Sequence, residues 1–284
     1  MRVMNGGSGE SGRRSASSFL GALALGAVVA LVSAGCVVTE GGDAPVSFRF
    51  VQWNMGHFDH GYGCLPQAKH SRVELWKPVI DSLEADIVGF AEYHPTLFDG
   101  RSFPEVLGDR FETVVEGSLR KYNCNAIWAR KSVGRLLRTR EVDFANASQP
   151  RYYLDAAFEI AGREVHVVAT HLDWDLKGDP LRRERQIREL VAAFRDEPYV
   201  ILCGDFNVNG GPQEWKAFEE AGWSLAVSSD PAKAVMTGRE NHGRGDCAID
   251  NIIVKGFSIS EFGTADDAYV LSDHRPIFCT LTMR

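Results

Sequence analysis

Residues 199–207 read Tyr199-Val200-Ile201-Leu202-Cys203-Gly204-Asp205-Phe206-Asn207. The unbroken apolar run suits a short strand buried on both faces, and Gly204, Asp205 and Asn207 end it with turn-forming residues. The same arrangement recurs outward along the chain. Asn54 ends Phe50-Val51-Gln52-Trp53, Glu92 ends Ile87-Val88-Gly89-Phe90-Ala91, and His171 ends Val167-Val168-Ala169-Thr170. Asp250 opens Asn251-Ile252-Ile253-Val254, and Asp273-His274 leads into Pro276-Ile277-Phe278. Each polar residue alone reads as a turn, a cap or a solvated end. Together they put an acid, an amide or an imidazole at the ends of six strands, which can converge on one rim of a rigid scaffold.

Between these runs the periodicity changes. Further strands are expected at Ala126–Ala129 and Tyr153–Ile160, and helices at Arg72–Leu83, Leu181–Phe194 and Pro212–Ala221. Ile187, Leu190, Val191 and Phe194 share one face of the second helix, with Asp179-Pro180 as its expected N-cap and first position. Pro78 is an unfavourable interior residue for the first. Trp215 and Trp223 read as core. Arg182, Arg183, Arg185 and Arg188, interleaved with Glu184 and Glu189, read as a salt-bridged solvent face. The expected architecture is α/β (α+β): two packed sheets with helices outside, in one domain over residues 47–284.

The chain has 284 residues, 31 Lys+Arg and 38 Asp+Glu, with 44% hydrophobic and 24% charged residues. That balance excludes a disordered tail protein and a polytopic membrane protein. Residues 1–35 carry Arg2, Arg13 and Arg14 against Glu10, so the rest of the chain holds −7 minus +2, or −9. Such an acidic body is a poor general DNA binder. Arg13-Arg14 precede an apolar run from Phe19 to Val32, as in a secretory signal over residues 1–35. Ser33-Ala34-Gly35-Cys36 resembles a lipobox, with Cys36 lipidated; cleavage after Ala34 and an uncleaved anchor are the alternatives. Residues 36–46 read as a tether. The expected location is therefore the outer face of a cell membrane, as a lipoprotein, or the secreted fraction. Of the six cysteines, Cys203 and Cys279 lie in strand-like runs as buried thiols, while Cys64, Cys124 and Cys247 lie where one disulfide could form. No Cys/His spacing suits zinc.

The inventory at the six strand ends is carboxylate, carboxamide and imidazole, with no Ser or Cys nucleophile elbow. Hard oxygen ligands favour Mg²⁺, with Mn²⁺ or Ca²⁺ as alternatives, and the set suits in-line attack of water on phosphorus. Trp53-Asn54-Met55, Ala91-Glu92, Thr170-His171-Leu172, Gly204-Asp205-Phe206-Asn207, Ala248-Ile249-Asp250 and Ser272-Asp273-His274 stand in the order of the endonuclease/exonuclease/phosphatase superfamily, which the chain resembles over about residues 47–284. The resemblance implies a four-layered, deoxyribonuclease I-like sandwich of two mixed β-sheets and a divalent-metal phosphoesterase. It implies that Glu92 is the principal metal ligand with Asn54 beside it, and that Asp273 supports the same or a second metal position. Asp205 would orient or activate the water, with Asn207 holding Asp205 or the phosphate. His274 would contact the scissile phosphate under the control of Asp250, His171 would bind another phosphate oxygen, and Arg151 or Tyr152 would make a further phosphate contact. Ala91 stands where Gln is common, and Cys247-Ala248 where a basic residue is common. These departures touch the subfamily and not the catalytic set.

Nucleic acid, phospholipid head groups and small phosphoesters are the competing substrates of an expected monomer. The gaps of 33 residues between His171 and Asp205 and 42 between Asn207 and Asp250 show no aromatic-tipped hairpin of the kind that sphingomyelinase relatives insert, which demotes the lipid reading. Arg101, Arg120, Lys121 and the run Arg130–Arg140 are the candidate basic contacts, although such a run is more often a solvated edge. His57, His60, His70 and His94 are candidates for extra contacts in early loops. A catalytically inactive binding module of the same fold is the reading from another class; Glu92, Asp205, Asp273 and His274 are all present.

Overall fold

In the computed structural model, residues 45–56, 73–93, 105, 110–119, 124–174, 176–208, 212–238, 247–265 and 271–284 are described. The expectations for residues 1–44, including Cys36, and for Cys64, His57, His60, His70, His94, Arg101, Arg120 and Lys121 lie outside them. Among the described residues, twelve strands form two sheets. The first contains β1 (Ser47–Asn54), β2 (Ile87–Ala91), β3 (Thr113–Glu116), β4 (Ala126–Ala129), β11 (Phe257–Thr264) and β12 (Ile277–Met283), in the order β11-β12-β1-β2-β4-β3. The second contains β5 (Arg135–Asp143), β6 (Tyr152–Ile160), β7 (Arg163–His171), β8 (Val200–Asp205), β9 (Ser224–Leu225) and β10 (Asp250–Lys255), in the order β5-β6-β7-β8-β10-β9. The helices among the described residues include α1 (Val73–Ser82), α2 (Arg182–Ala193) and α3 (Pro212–Glu220).

Alternation along each strand builds the layers. In β8, Ile201 and Cys203 face the core between the sheets, where they meet Phe50, Ile87, Ile277 and Leu281 of the first sheet. Val200 and Leu202 point the other way and pack with Ile187, Leu190, Phe194, Trp215 and Phe218 of the helical side. In β1, Phe48 and Phe50 face the inter-sheet core, while Val51 and Trp53 pack with Trp76 and Ile80 of α1. Both faces are covered, which is why these strands read as continuous apolar runs rather than alternating ones. The result is a helix–sheet–sheet–helix sandwich. Each sheet is mixed: β1–β2 and β7–β8 are parallel and the other pairs antiparallel.

Several local expectations are corrected. Asp179 does not cap α2; Leu181 is the capping residue and makes no side-chain cap hydrogen bond. The Asp179 carboxylate instead pairs with Arg182 and Arg185. Arg183 leaves the expected solvent face: it is buried and its guanidinium binds Glu214 of α3 at 2.9 Å. Among the described residues no bridge joins Cys124 to Cys247, and the pairings that involve Cys64 lie outside those residues. Cys203 and Cys279 are buried thiols as expected. The basic run is no open cationic patch. Arg130 pairs with Asp86, and Arg135, Arg138 and Arg140 of edge strand β5 pair with Glu159, Glu164 and Asp155.

Candidate active site

The register of two sheets assembles one rim. In the second sheet His171 pairs with Asp205 across the parallel β7–β8 ladder, and Asp250 pairs with Asp205 across the antiparallel β10–β8 ladder. Three chemically active residues thus stand in one row. In the first sheet Asn54 pairs with Ala91, so Glu92 emerges beside Asn54 one residue past the end of β2. Glu92 takes a positive φ of 49°, a left-handed conformation that turns the chain at this point. Ser272 ties in the last segment: its hydroxyl donates to the Asn54 carbonyl at 2.7 Å and accepts the His274 N–H at 3.1 Å. Trp53 Nε1 donates to the His274 carbonyl at 3.1 Å.

Asp205 is the crossing point. Its Oδ1 accepts the Asn207 backbone N–H at 2.8 Å, and its Oδ2 accepts Asn54 Nδ2 at 3.0 Å. The same Oδ2 lies 3.6 Å from His171 Nε2 and 3.7 Å from His274 Nε2. The Asn207 side chain donates to the Leu172 carbonyl, so Asn207 holds Asp205 through its backbone. Asn54 Nδ2 also reaches Glu92 Oε1 at 3.4 Å, and Asn54 Oδ1 accepts the Gly56 N–H. Asn54 therefore presents its donor to both carboxylates and has its oxygen committed. His274 Nδ1 meets Asp250 Oδ2 at 2.7 Å, and Asp250 Oδ1 accepts Gln52 Nε2 at 3.1 Å.

Charge crowding follows from this packing. Burial raises Glu92 to about 7, with Asp273 and Asp205 adding to the rise against the opposing pull of His274 and Arg151. Burial likewise raises Asp205 to about 6, and the Asp250 charge adds to it. For His274 burial acts downward, but Asp250, Asp205 and Asp273 outweigh it and hold the imidazole well above its ordinary value, as an imidazolium. Ligand atoms of Glu92, His171 and Asp205 all lie within 4.8 Å of one another. Two enclosed carboxylates that resist ionisation beside an imidazole fit a hard divalent cation, whose charge would restore their ionised forms. Asp273 stands outside that triplet and acts on Glu92 through its charge; it also faces Gly56, where a Cβ would lie 3.3 Å from Asp273 Oδ1.

Of the two neighbours proposed as phosphate contacts, only one faces the rim. Arg151 is buried, feels the charges of Glu92 and Asp205, and stands 3.9 Å from Asp173 Oδ1. Its Nε makes no hydrogen bond among the described residues. Tyr152 points into the inter-sheet core, and its hydroxyl is used by the Asn125 N–H and the Ser118 carbonyl. The phosphate-contact expectation for Tyr152 is therefore withdrawn. Sequence reasoning missed Gln52, Thr237 and Asp173. Gln52 is a polar residue inside an apolar strand with the same parity as Asn54, and that was its available signal. Thr237 Oγ1 accepts the Asp250 N–H at 3.0 Å. Asp173, fully buried, accepts the Ser148 N–H, the Ser148 hydroxyl and Gln186 Nε2.

A model of the Endonuclease/Exonuclease/phosphatase family matches residues 51–274. Among solved structures, D. rerio TDP2 humanized by 14 mutations is similar at a TM-score of 0.66 and 18% identity, over 83% of this chain and 98% of that one. D. rerio TDP2 complexed with a single-strand DNA product is similar at 0.63 and 18% identity, over the same shares. An endonuclease/exonuclease/phosphatase from Bacteroides vulgatus is similar at 0.64 and 17% identity, over 84% of this chain and 100% of that one. At such identities the likeness to these structures is one of fold. Comparison with curated proteins finds none that matches.

Proposed function

The chain belongs to the endonuclease/exonuclease/phosphatase family, and from that premise we propose an exported, divalent-metal-dependent phosphoesterase that hydrolyses a phosphodiester by in-line attack of water. The observation that carries the reading is the placing of Asp205. Its carboxylate is fixed by Asn54 and the Asn207 N–H, and it stands 3.7 Å from an imidazole that Asp250 orients. Asp205 orients the attacking water and takes its proton. His274, held as an imidazolium by Asp250, donates from Nε2 to a phosphoryl oxygen as charge develops there. His171 and Arg151 supply further donors to the phosphate. Asn54 keeps the Glu92 and Asp205 carboxylates aimed at the same point. Glu92, with Asp273 behind it and His171 and Asp205 close by, would hold a Mg²⁺, Mn²⁺ or Ca²⁺ ion, which supplies charge neutralisation on the phosphate oxygens.

A nuclease-like substrate is favoured over a phosphomonoester or a phospholipid head group, because a structural neighbour is recorded with a single-strand DNA product. The export part of the proposal rests on residues 13–36 alone: a signal segment, and Cys36 as the lipid anchor to a membrane. The test is one panel of plasmid and single-stranded DNA, sphingomyelin, a chromogenic phosphodiester and a chromogenic monoester, each with Mg²⁺ and with EDTA. Metal-dependent turnover lost in His274→Ala supports the reading. A folded protein that turns over none of these substrates overturns it.

A further inference from the structure

The face of the second sheet turned toward α2 carries another cluster, which the reaction above does not use. His166 and His171 are five residues apart in β7, so their side chains leave opposite faces of the sheet. His166 is 1% exposed and packs edge-on against Phe194 of the helical layer. Its Nδ1 is 2.9 Å from Asp155 Oδ1, and Asp155 Oδ2 accepts Arg140 Nε at 2.7 Å. The Asp155 carboxylate accepts a hydrogen bond from Nδ1–H and leaves Nε2 as the atom that can coordinate once it has no proton.

Nε2 lies 3.2 Å from Glu164 Oε1 and 3.4 Å from Glu197 Oε2. Although it is buried, it makes no hydrogen bond among the described residues, so neither oxygen is aligned with it as an acceptor. The three ligand atoms lie within 4.8 Å of one another. Donor atoms around a tetrahedral ion with bonds near 2.0–2.1 Å stand roughly 3.3 Å apart. The two separations observed around Nε2 match that edge length.

We propose that Glu164, His166 and Glu197 form a second divalent-metal site, structural rather than catalytic, which takes a zinc-class ion with water in the remaining position. One imidazole with two carboxylates is a donor set for Zn²⁺ or Co²⁺ more than for Mg²⁺. Glu164 and Glu197 are each 39% exposed, so the ion has a path in from solvent. Arg138, which pairs with Glu164 and is 53% exposed, is the group the ion displaces. Glu197 lies between α2 and β8, and Glu164 and His166 lie on β7. An ion here therefore clasps the crossover joining the strands that carry His171 and Asp205.

The test uses the full-length protein, stripped of metal and then held in excess Mg²⁺, titrated with Co²⁺ and separately with Zn²⁺. The expected result is a visible tetrahedral Co²⁺ absorption at one equivalent, and a rise in melting temperature with Zn²⁺. Both should be lost in Glu197→Gln and in His166→Gln and kept in Glu92→Gln. Glu197→Gln decides the matter if His166→Gln does not fold, because the Glu197 side chain is partly exposed. No tetrahedral Co²⁺ signal in the wild type, or a signal that survives Glu197→Gln, overturns the proposal. A signal lost only in Glu92→Gln assigns the ion to the catalytic rim and overturns it as well. Loss of phosphoesterase activity does not enter either readout, so this site and the proposed reaction stand or fall separately.

Discussion

Asp250 Oδ2 stands 2.7 Å from His274 Nδ1, and the same ring presents Nε2 3.7 Å from Asp205 Oδ2. The pair is preset by strand register, because Asp250 is the Cα partner of Asp205 in the β10–β8 ladder. Gln52 and the Thr237 hydroxyl hold Asp250 from two further sides. Asp250→Asn keeps the shape and removes the charge that sustains the imidazolium. We expect kcat on a chromogenic phosphodiester to fall by roughly 10²–10⁴-fold, with little change in KM and a lower melting temperature, because the buried imidazolium loses its charged partner. The alkaline limb of the pH profile should move toward neutral, since His274 then loses its proton at lower pH. An unchanged profile would remove His274 from the charge-stabilising role.

Burial and the charges of Asp273 and Asp205 oppose the ionisation of Glu92. Glu92→Gln should raise the Mg²⁺ concentration for half-maximal activity by at least about tenfold, and EDTA should abolish activity in the wild type. A variant with an unaltered Mg²⁺ requirement would place the cation elsewhere.

Metal-free protein should lose stability as pH rises. Glu92 sits at about 7 and Asp205 at about 6, both above their ordinary values of 4.5 and 3.8. The native state thus holds protons that the unfolded chain has released. The stabilisation is complete below the unfolded values and is lost as pH climbs through about 6 and 7. His274, also raised, extends the same trend above its ordinary 6.5. Melting temperatures in EDTA should fall between about pH 4.5 and pH 8, the fall should be smaller in Glu92→Gln, and saturating Mg²⁺ should flatten the curve. A metal-free melting temperature that rises over this range would contradict the crowding.

The six strand ends were legible because burial on both faces makes the strands apolar, and a polar residue then stands out at each terminus. Edge strands carried no such signal. Most residues of β5 and β11 reach solvent, so their composition resembles that of a loop. Arg151 and Tyr152 could not be separated along the chain because neighbours in an extended segment point to opposite sides. Only the packing assigns Arg151 to the rim and Tyr152 to the core. Asp173 was hidden for another reason: its partners Ser148, Arg151 and Gln186 come from other segments.

That network makes a prediction of its own. Asp173 stands beside Arg151 and lies outside the set proposed to act on the phosphate or the metal. Asp173→Asn should weaken substrate binding through Arg151, raising KM several-fold with a smaller effect on kcat, while Arg151→Lys should cost more in kcat because a lysine lacks the planar fork. Equal losses in kcat for both variants would indicate that Asp173 acts on the fold and not through Arg151.

Gly204 tests the rim itself. Its φ is +151°, and a Cβ there would overlap the Thr170 carbonyl oxygen on the neighbouring parallel strand. Thr170 precedes His171 and Gly204 precedes Asp205, so the close approach of the two backbones sets His171 and Asp205 side by side. Gly204→Ala must push β7 and β8 apart where they deliver these side chains, or twist the peptide before Asp205. Either route should cost about 3 kcal/mol or more, read as a lower urea midpoint. Residual folded protein should be impaired in kcat beyond its loss of stability. Gly162→Ala is the control: φ is +73° but nothing lies within 4 Å, so the cost should be about 1–2 kcal/mol, from backbone strain alone. If both variants lose the same stability and Gly204→Ala keeps full kcat, the β7–β8 contact does not position Asp205.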